Sequence, residues 1–219
     1  IPTMKRCGYK PEFAAAVEKF ENAGADCIVT WHAAYSPSLE SIDALAGTEL
    51  PIIVLDTTET YDFSPEQDPA EISFCHGIHG VMDMCSLLRQ HGKGYAICAG
   101  HIEHSDVLDR VAGYARAAGA ARALKGSRAG SIGGSFDGMG DFFMTDEELK
   151  DIFGVTVVRP TADYLNAIAA EITDQEVADE IADDLMFNEQ TTEIEDDVHE
   201  ISAKTNLTVR KWIDKADLD

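Results

Sequence analysis

Apolar positions along this chain switch repeatedly between two spacings. Over residues 11–23 Phe13, Val17 and Phe20 recur every three to four positions, the period of one helix face, with Pro11 suited to the first turn and Gly24 to the exit. The pattern then becomes a short, nearly continuous run, Asp26-Cys-Ile-Val-Thr-Trp31, as a parallel strand covered on both faces requires. The alternation continues with a helix between Pro37 and Gly47, a strand over 51–55, a helix over 78–91, a strand over 95–98 and a long Ala-rich helix over 106–124. Strand and helix in strict alternation predict an α/β fold whose sheet is parallel with helices on both faces. The connection from Thr57 to Ser73 is polar, acidic and long for a link between strand and helix, a length that often accompanies function.

A second unit starts near Lys125-Gly126-Ser127, which places domains at 1–125 and 126–219. Residues 128–132 read as a strand leading into the glycine-rich segment 133–140, and residues 155–158 as the next strand. Thr145-Asp-Glu-Glu148 and Thr173-Asp-Gln-Glu176 are capping boxes that open helices. Over residues 194–213, Ile194, Val198, Ile201, Leu207 and Ile213 form a candidate apolar stripe on a last helix. Two strands are few for a core of their own, so the second sheet is expected to be incomplete, with further strands downstream. No repeat short enough for a solenoid is present.

Composition narrows the function classes. The chain is 45% apolar and 26% charged, as expected of a globular protein with a buried core rather than a disordered one. Its net charge of −23 would repel a phosphate backbone, which argues against nucleic acid as a partner. From Glu171 onward sixteen Asp and Glu stand against four Lys and Arg, the composition of a solvated helical surface. No run approaches the roughly 20 apolar residues that span a bilayer, and the start lacks the layout of a secretion signal, so a cytoplasmic location and no membrane partner are expected. Ile1 in place of Met suggests that a segment upstream has been removed. Five cysteines, Cys7, Cys27, Cys75, Cys85 and Cys98, mostly in apolar runs and without a C-x-x-C pair, read as free thiols.

Candidate chemistry gathers where strands are expected to end. Trp31-His32-Ala-Ala-Tyr35 follows a strand at its carboxyl end, the edge at which open parallel sheets bind ligands; it can serve as a sugar platform or simply pack over that edge. His101 sits at an equivalent place after the third strand. His76 and His79, three apart at a helix start, face one side near unpaired backbone donors. They can bind hydroxyl groups or play a structural part, while a metal reading would need Cys75 or Asp83 as a third ligand and lacks a distant partner set. The glycines of 133–140 match neither dinucleotide nor P-loop fingerprints, which leaves a nicotinamide or nucleotide site without support. No nucleophile paired with a base and no G-x-S-x-G is present, so no catalytic residue is assigned.

Four segments in order, residues 26–39, His76-Gly-Ile-His-Gly-Val-Met-Asp83, Ala99-Gly-His101 and Gly134-Ser-Phe-Asp-Gly-Met-Gly-Asp-Phe142, resemble the L-fucose/L-arabinose isomerase family. The resemblance implies two Rossmann-like three-layer domains with mainly parallel sheets, the first lacking its N-terminal strand. It further implies a parent about twice this length that interconverts an aldose and a ketose through an enediol, with a divalent cation, typically Mn2+, polarising the sugar oxygens. Oligomers based on trimers, often hexamers, with active sites between subunits, and a pentose or 6-deoxyhexose as the monosaccharide, are implied too. Carried over by motif, His76 matches a substrate-facing histidine, Tyr35 an aromatic lent to the adjacent subunit and Met139 a methionine near the pocket, while Trp31 and His32 fall where fucose-type members place an aromatic. The family's metal ligands and acid/base carboxylates have no counterpart here. The expectation is therefore a fragment that holds no cofactor and contributes assembly and part of a substrate pocket; the alternative is a non-catalytic α/β sugar-binding module.

Overall fold

Three short strands, β1 (Ile28–Trp31), β2 (Ile52–Asp56) and β3 (Tyr95–Ala99), lie parallel in the order β1-β2-β3. The computed structural model describes residues 6–134, 138–140, 143–187 and 194–219. The chain divides into two units, Ile1–Arg122 and Ala123–Asp219. The fold is α/β and Rossmann-like, with short parallel sheets in both units.

Alternation along β2 builds the first unit on both sides. Ile52 and Val54 face α1 (Lys10–Asn22), α2 (Ile42–Gly47) and α3 (Gly77–Gln90), where they pack with Val17, Ile28, Leu45, Val81, Met84 and Leu88. Ile53 and Leu55 face the other way and pack with Cys98 and with Val107 of α4 (Val107–Leu124). Helices on both faces explain why β2 reads as an unbroken apolar run. α1 opens with the Glu12 carboxylate accepting the Gly8 and Tyr9 N–H groups at 2.7 and 3.2 Å.

The segment expected to form one helix between Pro37 and Gly47 is instead split. Ser38–Glu40 forms a 3-10 turn and α2 follows from Ile42. Extended backbone at Pro37 delays the start, and Asp83 of α3 accepts the Ser38 N–H at 3.1 Å, which pins the tight turn against α3. The acidic connection after β2 ends in a second 3-10 helix, Pro69–Cys75, capped by Asp68 accepting the Ala70 N–H at 2.9 Å.

In the second unit β4 (Arg128–Gly130) pairs in parallel with β5 (Thr156–Val158). α5 (Asp146–Phe153) starts on the capping box of Thr145 and Glu148 and stops at Gly154, whose φ of 75° is left-handed. α6 (Ala162–Ala170), absent from the reading of the sequence, starts where Thr161 Oγ1 accepts the Tyr164 N–H at 3.2 Å. α7 (Asp174–Phe187) follows the second capping box, in which Thr173 and Glu176 bond reciprocally. Lys211 also lies 2.8 Å from Glu176, and this ammonium together with the cap holds the carboxyl down to about 2.

The long helix α8 (Asp196–Ala216) buries a different face from the one its large aliphatic residues suggest. Ala203, Thr208 and Trp212 are buried, whereas Ile194, Val198, Ile201 and Ile213 are exposed. Thr208 can be buried because its hydroxyl donates to the Lys204 carbonyl oxygen at 2.7 Å within the same helix. Trp212 lies on β4 at Gly130, where an added Cβ would stand 2.6 Å from the indole Cη2. Between α7 and α8 the nearly buried Glu180 is held by Arg210 at 2.9 Å and by Asn206 at 3.0 Å. Among the described residues no helix is long and apolar enough to cross a membrane.

Candidate functional site

The parallel first sheet sends the carboxyl ends of all three strands to one edge, and the side chains singled out in unit 1 lie there or in the loops that leave it. Trp31 is the last residue of β1. Its side chain shares the register row of Leu55, is half exposed, and donates from Nε1 to Thr57 Oγ1 at 2.8 Å. His32 goes to the α3 side instead: an added Cβ on Gly80 would lie 2.9 Å from His32 Cδ2, and one on Gly77 would lie 2.2 Å from the His32 carbonyl oxygen. Neighbours in sequence thus part to opposite faces of the sheet.

The two glycines explain the form of the His76-Gly-Ile-His-Gly segment. Spaced three apart, Gly77 and Gly80 occupy one side of the first turn of α3, and the loop from His32 to Ser36 lies directly on them. His32 is half-buried by this contact, Nδ1 has no hydrogen-bond partner, and burial pushes its pKa below the usual histidine value.

That close approach brings Tyr35 over the helix start. The Tyr35 ring stacks on His76 with centroids 5.7 Å apart and planes 29° apart, and His76 meets His79 edge-on at 4.5 Å. Tyr35 is half exposed and His79 is exposed, so the three rings form an open aromatic and imidazole surface at the sheet edge. Such a surface offers ring faces to the C–H side of a sugar ring and imidazole nitrogens to its hydroxyl groups.

A second ring cluster follows β3. Tyr61, from the acidic connection, sits 5.4 Å from His101 and 4.4 Å from His104, and the two imidazoles are 4.7 Å apart. His101 Nδ1 accepts the Glu103 N–H at 3.1 Å, which leaves Nε2 to donate to the Glu59 carbonyl oxygen at 3.3 Å. The acidic connection is thereby tied to the turn that starts α4. Tyr61 and His104 were not singled out from the sequence, although His101-x-x-His104 repeats the spacing of His76-x-x-His79 after a strand. Asp56 was missed as well: it ends β2 at this edge, and burial raises its carboxyl pKa.

Met139 is exposed and belongs to the second unit. In its glycine-rich segment Gly133 and Gly138 take left-handed φ values of 85° and 83°, and residues 135–137 lie outside the described ones. All five cysteines are free thiols. Among the described residues no three His, Cys, Asp or Glu side chains come together as a metal site, so this donor set does not fit a manganese ion. No known family model matches the chain, and no curated protein sequence matches it.

Proposed function

We propose that this chain is part of a sugar aldose–ketose isomerase of the L-fucose/L-arabinose type, serving subunit assembly and one wall of a monosaccharide pocket rather than catalysis on its own. The observation that carries the reading is the open stack of Tyr35 on His76 with His79 at its edge, held at the carboxyl end of a parallel sheet. In this reading the rings contact the sugar, and the glycine-packed turn of α3 keeps them in place. The enediol chemistry, its cation and its acid/base carboxylates come from other segments of the parent, in which Mn2+ would polarise the sugar oxygens. Trp31 and His32 steady the edge, Met139 belongs to the same pocket, and the protein works in the cytoplasm as a trimer or hexamer.

Isothermal titration of the 219-residue chain with L-fucose, L-arabinose and D-glucose tests this, alongside an isomerisation assay with manganese. Heats that fit dissociation constants in the millimolar range for fucose or arabinose, lost in Tyr35→Ala, and no turnover are expected, because a partial wall binds weakly. Turnover by the chain alone would overturn the assignment of catalysis to other segments. Micromolar binding would favour the alternative, a self-sufficient sugar-binding module.

A further inference from the structure

β1 is an open edge of the first sheet. The Ile28 N–H donates to the Pro51 carbonyl oxygen on the β2 side at 2.9 Å. Backbone groups alternate between the two edges of a strand, so Val29 and Trp31 turn their N–H and C=O outward. Their side chains share the face and register of Ile53 and Leu55. Yet Ile53 and Leu55 are 2% and 9% exposed while Val29 and Trp31 are 43% and 48% exposed, because the cover given by α4 stops short of β1. On the opposite face Thr30 Oγ1 is buried without a hydrogen-bond partner. Edge strands are commonly guarded by lysine, proline, an inward charge or a bulge, and Ile-Val-Thr-Trp carries none of these residues.

We propose that a second copy of this chain adds its own β1 to this edge, antiparallel about a two-fold axis through Thr30, so that two three-stranded sheets become one of six. The register follows from parity. A centre at Thr30 sets Val29 of each copy against the partner's Trp31, and these are the residues whose backbone groups face outward, giving four N–H···O=C bonds. The exposed valine and indole then cover one another. Thr30 meets the partner's Thr30 in the pair without backbone bonds, where side chains come closest, and a turn about χ1 gives its hydroxyl a partner. A centre at Val29 would instead set Trp31 against the partner's Cys27 and leave the two exposed side chains unmatched.

The seam of four residues per copy buries on the order of 800 Å², below a standard stable interface, so the dimer exchanges with a dissociation constant on the order of 10–100 μM. The net charge of −23 on each copy opposes association, so added salt strengthens it. The seam is a property of the strand edge, and its readout is self-association rather than sugar binding, so it stands or falls separately from the isomerase reading.

Sedimentation velocity over roughly 2–300 μM tests it, expecting a rise from monomer to dimer that shifts to lower concentration at higher salt. Val29→Lys, on an exposed position, is expected to weaken association at least about tenfold with an unchanged circular dichroism spectrum. Mild oxidation gives an independent reading of register that survives if the lysine variant misfolds. Thr30→Cys should form a disulfide-linked dimer above the level of the unsubstituted chain, and Val29→Cys should not, because Val29 faces the partner's Trp31. A monomer throughout the concentration range, a folded Val29→Lys protein that still dimerises, or equal cross-linking by the two cysteine variants would overturn the proposal.

Discussion

Replacing Trp212 with alanine is expected to cost the second unit about 3–5 kcal/mol, the largest loss at any single side chain in it. The indole is only 3% exposed and lies on β4 at Gly130, with Leu218 on the same glycine. β4 and β5 have three residues each, so this contact between helix and sheet carries much of what holds the pair to α8. No neighbouring side chain can fill the space, because the strand beneath it is glycine. Urea unfolding followed by far-ultraviolet circular dichroism reads the effect. Trp31→Phe, which leaves Trp212 as the sole indole, supplies a fluorescence signal from the second unit in the unsubstituted background. A loss below about 1 kcal/mol would show that the indole is not the keystone described here.

Gly77→Ala is expected to cost about 2–4 kcal/mol, although alanine is favoured over glycine inside helices by about 1 kcal/mol. The added methyl would stand 2.2 Å from the His32 carbonyl oxygen and 3.1 Å from its carbon. Both are backbone atoms, so relief requires α3 and the loop after β1 to separate, and the Tyr35–His76 stack to open with them. Gly80→Ala should cost less, since its nearest neighbour at 2.9 Å is the edge of the His32 ring. Gly113→Ala is the control: it lies in α4 with nothing within 4 Å, and should be neutral or stabilising by up to about 1 kcal/mol. Thermal melts of the three variants give the ranking, and equal melting temperatures would refute the close approach.

Elements set by local chemistry could be read from residues alone. The unbroken run at 52–56, the capping boxes at Thr145 and Thr173 and the glycine stop at Gly154 each act within a few positions, and the structure places elements there. What escaped depends on contacts distant in sequence. The split before α2 follows from Asp83 accepting a backbone N–H 45 positions away. The buried face of α8 was misread because hydrophobicity favours Ile201, while packing favours a small Ala203, a self-satisfied Thr208 and a tryptophan seated on glycine. The same limit governed the site. His76 and Tyr35 stood out by residue type and place, but their stacking, and the part of Gly77 and Gly80 in it, required the fold. Tyr61 and His104 sit in turns whose sequence gives no sign that they meet.

The central claim is that the Tyr35–His76–His79 surface is the side of this chain that meets a sugar. Two-dimensional amide and imidazole NMR of the labelled chain, titrated with L-fucose or L-arabinose to about 50 mM, addresses it directly. The account predicts saturable shifts concentrated on Tyr35, His76, His79 and the first turn of α3, with the α8 amides unmoved. Shifts absent from these residues, or spread evenly over both units, would contradict it.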